Sequence, residues 1–144
     1  MARLRTRLAA CAIALATAAG TLVVGSSPAH AAANFSFHYY PSPNGYNIWI
    51  NNDDRGLPAG SGRWLQDPDG PYPGDALVAD DQLADGYGIE AHLSTGRIAT
   101  TRGHSAPYTH YKTGNLPEGN KYYMYVCVVK GDYSNCSNSV AVYA

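Results

Sequence analysis

From residue 32 onward the chain keeps no apolar face on a helical period; apolar residues alternate with polar ones in short runs, each cut off by Gly, Pro, Asn or Asp. Such a pattern leaves little but antiparallel strands. Phe35, Phe37 and Tyr39 alternate, Pro41-Ser42-Pro43-Asn44-Gly45 turns the chain, and Tyr46, Ile48 and Ile50 alternate again, which reads as an N-terminal hairpin. Residues 51–74, dense in glycine and proline around Trp64-Leu65, read as mostly loop, with a short strand following at Ala76 to Ala79. Tyr87, Ile89, Ala91 and Leu93 form an inward row, Ser94-Thr95-Gly96 turns, and Arg97 to Arg102 pairs back. Tyr108 to Thr113, Lys121 to Val129 and Cys136 to Tyr143 bring the expectation to about eight strands. Short connections between them point to an all-β antiparallel sandwich or small barrel.

Residues 1–31 read differently. Arg3, Arg5 and Arg7 precede a 17-residue Ala/Leu/Val stretch, Leu8 to Val24, and a small-residue site, Ala29-His30-Ala31, the order of a secretory signal peptide. Cleavage after Ala31 is expected, leaving a single domain over 32–144, secreted and extracellular. Cys11 precedes most of the apolar stretch instead of following it, so lipidation is not expected. The leader takes three of the ten basic residues and none of the eleven acids, which leaves seven against eleven, a formal charge of −4. A polybasic nucleic-acid binder is excluded, and no membrane partner is implied once the leader is gone. All sixteen aromatics, twelve of them tyrosine, remain in the 32–144 part.

In an oxidising compartment Cys127 and Cys136 are natural partners. They flank Gly131-Asp132, a two-residue hairpin signal that sets Lys130 opposite Tyr133 and Cys127 opposite Cys136 at a non-hydrogen-bonded pair. Such a pair has its Cα atoms about 4.5 Å apart, within disulfide range. A structural staple is the expectation, not a redox pair or two metal thiolates.

Leu116-Pro117-Glu118-Gly119-Asn120-Lys121-Tyr122, continuing through Met124, Val126 and Val128 to a hairpin and Val140-Ala141-Val142, resembles the end of a fibronectin type III-like domain. The resemblance covers residues 75–144 and implies an immunoglobulin/fibronectin III-like β-sandwich, its disulfide in an F–G type hairpin, with residues 35–51 as an extra N-terminal hairpin. It also implies a tyrosine corner at Tyr122 and an inward row of Tyr122, Met124, Val126 and Val128. The two-residue turn, continued without interruption, would align Val140 and Val142 with Tyr123 and Lys121, on the opposite face. Either a β-bulge between Cys136 and Val140 or a three-residue turn with diagonal cysteines is therefore expected.

Chemistry is sparser. Trp49, Trp64, Tyr72 and Tyr108 are the candidate binding residues, because planar rings near turns or on outward faces suit sugars or peptides. The alternative is that these rings build a core poor in leucine. The leading functional expectation is a non-catalytic extracellular binding module for carbohydrate or protein, with no cofactor. A protease-inhibitor-like protein presenting the Ala99 to Tyr108 loop belongs to the same class. The alternative class is a small secreted hydrolase using His104 or His110 as base, with Ser105 and one of Asp80, Asp81 or Asp85, although no strained nucleophile turn supports it. Arg97, Arg102 and His104 could meet an anion, but a solvated strand edge guarded by charge is the favoured reading. No metal is expected. Asp67-Pro68-Asp69-Gly70 has the opening of a calcium loop but lacks its later ligands, and a plain turn fits as well; Asp75 could join Asp67 and Asp69, and Asp53-Asp54 is the other acidic pair.

Overall fold

A computed structural model describes residues 33–144; the leader expected over residues 1–31 lies outside them. Among the described residues there are ten strands and no helix. In chain order they are β1 (Phe35–Ser42), β2 (Gly45–Asn52), β3 (Leu57–Leu65), β4 (Ala76–Asp81), β5 (Gly88–Leu93), β6 (Ile98–Thr100), β7 (Tyr108–Lys112), β8 (Lys121–Lys130), β9 (Tyr133–Cys136) and β10 (Val140–Tyr143). One antiparallel sheet runs β1-β2-β3-β4-β7; the other runs β10-β8-β5-β6, with β9 also paired to β8. The first hairpin turns through two residues, Ser42 pairing with Gly45. Alternation then places Tyr39 opposite Ile48 and Phe37 opposite Ile50 on the inner face.

Residues from both sheets form a single core: Ile48, Ile50, Trp64, Leu77 and Ala79 from one, Ile89, Ala91, Met124, Val126 and Val128 from the other. The region 51–74, expected to be mostly loop, instead supplies β3, a nine-residue strand bonded to neighbours on both sides. Its glycines concealed it, and packing explains them. A Cβ on Gly62 would overlap Val126 Cγ2 in the opposite sheet, and one on Gly60 would overlap the Asp80 carbonyl oxygen. Glycine in a strand here marks close approach of another chain segment. Pairing with β2 slips between Ile50 and Asn51, so Ala59 is extra and the strand bends.

The second sheet follows the sequence pattern more closely. Met124, Val126 and Val128 face the core with Tyr122 packed against them. Leu116 packs against the same core, while the Tyr122 hydroxyl makes no hydrogen bond among the described residues. Cys127 stands opposite Cys136 and the two are bridged, with Cα atoms 4.0 Å apart. Lys130 pairs with Tyr133 as the two-residue turn requires, yet Val140 pairs with Met124 and Val142 with Tyr122. The register therefore moves by one residue between β9 and β10, the expected bulge. The Val126 N–H donates to Ser137 Oγ at 3.0 Å and the Ser137 N–H to the Val126 carbonyl at 2.8 Å, so the interruption leaves no orphan there.

Candidate functional site

Alternation along β1 and β2 that buries Ile50 and packs Phe37 against the core must turn His38, Tyr40, Trp49 and Asn51 outward. Trp49 is 37% and Tyr40 53% exposed. With His38, Asn51 and Pro58 they line a groove of 360 Å³. One wall is fixed by a hydrogen bond, Asn51 Nδ2 donating to His38 Nε2 at 3.2 Å. Aromatic planes beside an oriented amide and imidazole can stack on a ring and hydrogen-bond its substituents.

The same outer face continues across the sheet. Leu65, Ala76 and Val78 form a small second cluster there, covered by Tyr72 from the β3–β4 loop. Tyr72 meets Tyr111 edge-on at 5.3 Å, and the Arg63 guanidinium lies 5.2 Å from its ring centre. Cross-strand pairing sets Trp49 beside Ser61 and Ser61 beside Asp80, which bonds to Thr109, so polar side chains separate the two aromatic groups.

The four sequence candidates thus divide. Trp49 and Tyr72 share the outer face. Trp64 is fully buried, its indole N–H donating to the Tyr143 carbonyl at 2.7 Å, so its ring is a core element and offers no face to a ligand. Tyr108 stacks on His104, ring centres 3.8 Å apart, near the far end of the sheets. Trp64 has no parity legible in sequence, because the glycines around it hide the strand, whereas the alternation of Phe37 and Tyr39 marks Tyr40 as outward.

The strand ends beyond Tyr108 frame a second concavity, a cavity of 480 Å³ among the β4–β5, β6–β7 and β8–β9 connections. Asp81, the third inward position of β4 after Leu77 and Ala79, lines it at 2% exposure. Its Oδ1 accepts the Leu83 N–H at 3.3 Å. Burial, helped by the negative charges of Asp85 and Asp80 and opposed by that N–H, pushes its carboxyl up to about 6. Asp85 is fully engaged, accepting from Asn52 Nδ2 at 2.8 Å and from the Tyr87 N–H at 3.0 Å.

The other proposed chemistries find no assembled site among the described residues. His110 Nδ1 accepts the Thr100 N–H at 3.2 Å, and burial, then Lys112 and His104, lower its basicity. Neither His104 nor His110 has a hydroxyl or carboxylate within hydrogen-bond distance, so the base–orienter pairing a hydrolase needs is missing. Arg97 donates to the carbonyls of Asp75 and Gly114, and Arg102 pairs with Glu90 at 2.8 Å, so both guanidinia are occupied. Asp67 and Asp75 share a cavity of 370 Å³ with Glu118, without Asp69. Asp54 is held by the backbone and side chain of Asn34, which lower its carboxyl. No three His, Cys, Asp or Glu side chains converge on a metal position among the described residues. No family model, curated protein or solved structure matches the chain.

Proposed function

We propose that the chain is an exported, non-catalytic immunoglobulin/fibronectin III-like β-sandwich that binds an extracellular carbohydrate through the outer face of β1, β2 and β3. The single observation behind the ligand is the groove holding Trp49, Tyr40, His38 and Asn51, where two exposed aromatic planes stand beside a hydrogen-bonded amide–imidazole pair. Sugars present just this combination of apolar ring faces and hydroxyls.

For the fold, support comes from strand order. β3-β4-β7 facing β8, β5 and β6, with β9 and β10 in succession along one edge of β8, follows the A-B-E and G-F-C-C′ arrangement, and β1–β2 extends the first sheet beyond its A position. For export, support comes from the leader pattern and the Cys127–Cys136 bridge. No helix among the described residues is long and apolar enough to cross a membrane.

Affinity electrophoresis through gels containing soluble polysaccharides tests the binding. Retardation by at least one neutral polysaccharide is expected, with Trp49→Ala and Tyr40→Ala each weakening it by about tenfold while leaving the fold intact. Unretarded migration on every polysaccharide, or retardation unchanged in both variants, overturns the proposal.

A further inference from the structure

The cavity at the loop end is separate from the outer-face groove and holds an acid with a single hydrogen bond to the rest of the fold. Asp81 is almost wholly buried, yet its carboxylate accepts a single N–H, at 3.3 Å, where a carboxylate has room for about four donors. Leaving a carboxylate so poorly bonded at the base of a cavity is costly, and the cost falls when a donor arrives.

The surrounding groups define what donor fits. Those facing the cavity or flanking Asp81 are Asp80 on its own strand, Asp85 and Tyr87 from the β4–β5 loop, Arg102 and His104 from the β6–β7 loop, Tyr108 of β7 and Lys130 at the end of β8. The neighbouring charges that bear on Asp81 are both acidic, from Asp85 and Asp80. Arg102 is neutralised by Glu90 and bonded to the Gly131 carbonyl at 2.9 Å, while the Lys130 ammonium rests 4.6 Å from the Tyr87 ring centre. Asp81 is thus the one acid lining the cavity, both cations that line it are held by other partners, and Leu83, Tyr87 and Val129 give it apolar walls. A single carboxylate cannot satisfy a divalent ion, which takes several oxygens; it matches one monovalent donor.

We infer that this cavity is a binding site for a small organic cation, its primary ammonium seated on the Asp81 carboxylate and its hydrocarbon part lying against Leu83, Tyr87 and Val129. The carboxylate must be ionised to hold the cation, so binding weakens as pH falls through the range in which Asp81 takes up its proton.

Amide NMR spectra of the full chain, titrated with benzylamine, benzyl alcohol and benzoate, test this. Benzylamine is expected to shift the Leu83, Tyr87 and Gly103 signals saturably at about pH 7.5, with the alcohol and the acid at least about tenfold weaker. Between about pH 7.5 and pH 5 the amine's affinity should fall about tenfold. Asp81→Asn should abolish binding and Lys130→Met should retain it. If Asp81→Asn does not fold, the pH dependence of the unaltered chain decides. Equal binding of amine and alcohol, affinity independent of pH, shifts confined to other residues, or loss of binding in Lys130→Met each overturn the inference.

Discussion

β3 and β8 face each other across the core and reach the same burial by opposite means. β8 is a run of large side chains, Met124, Val126 and Val128, each fully buried. Opposite it β3 presents Gly62, whose missing Cβ is the space that Val126 occupies. A sheet packs at nearly fixed spacing, so bulk on one side requires its absence on the other. A strand can therefore be specified by what it lacks, and only the strand that carries the bulk advertises itself in sequence.

Four perturbations probe this asymmetry. The largest effect is expected on the bulky side: replacing both Cys127 and Cys136 with Ala should cost about 3 kcal/mol in urea denaturation, since the bridge holds β9 on β8. Next, Gly62→Ala should cost about 2–3 kcal/mol by overpacking, and Val126→Ala about 2 kcal/mol by leaving a cavity. In the double variant the new methyl enters the vacated space, so the combined loss should fall short of additivity by more than about 1 kcal/mol; strict additivity would mean that the two positions do not compete for volume.

The third concerns Asp81, which pairs with Gly60 of β3. Its proton leaves near pH 6 in the folded chain and near 3.8 when unfolded. Between those values the folded state holds more protons, so its stability drops as pH rises, and the penalty is full above about pH 7. Asp81→Asn should thus stabilise by about 2 kcal/mol at neutral pH and by almost nothing below about pH 4. An equal gain at both pH values would mean that charge is not the cause. The smallest effect is expected at the bulge, where Ser137→Ala removes the acceptor of the Val126 N–H and should cost about 1 kcal/mol.

The same asymmetry explains what could be read in advance. In β8 and the hairpin that follows, spacing alone located the paired cysteines, and the conflict between two inward rows called for either a bulge or a three-residue turn, of which the fold uses the bulge that Ser137 bridges. Ile48 and Ile50 fixed the outward direction of Trp49. None of this worked for β3: Pro58, Gly60 and Gly62 carry turn chemistry, and only the opposite sheet gives them a strand's role. Trp64, with no apolar neighbour two positions away to set its parity, could not be told from a surface ring. Asp81 was visible only as one acid among several, because its character comes from a cavity closed by three connections distant in sequence.

The arrangement of β9 and β10 along one edge of β8 has a mechanical side. Tension applied at the C-terminus reaches β10 first, whose four pairs to β8 can open one after another. When the slack of the bulge is drawn out, the load arrives at Cys136 and passes through a covalent bond into Cys127, in the middle of the central strand. The residues between the two cysteines never enter the load path. Peeling β10 from β8 thus meets a hard stop at the bridge, which keeps the strands on its far side out of reach of the pull.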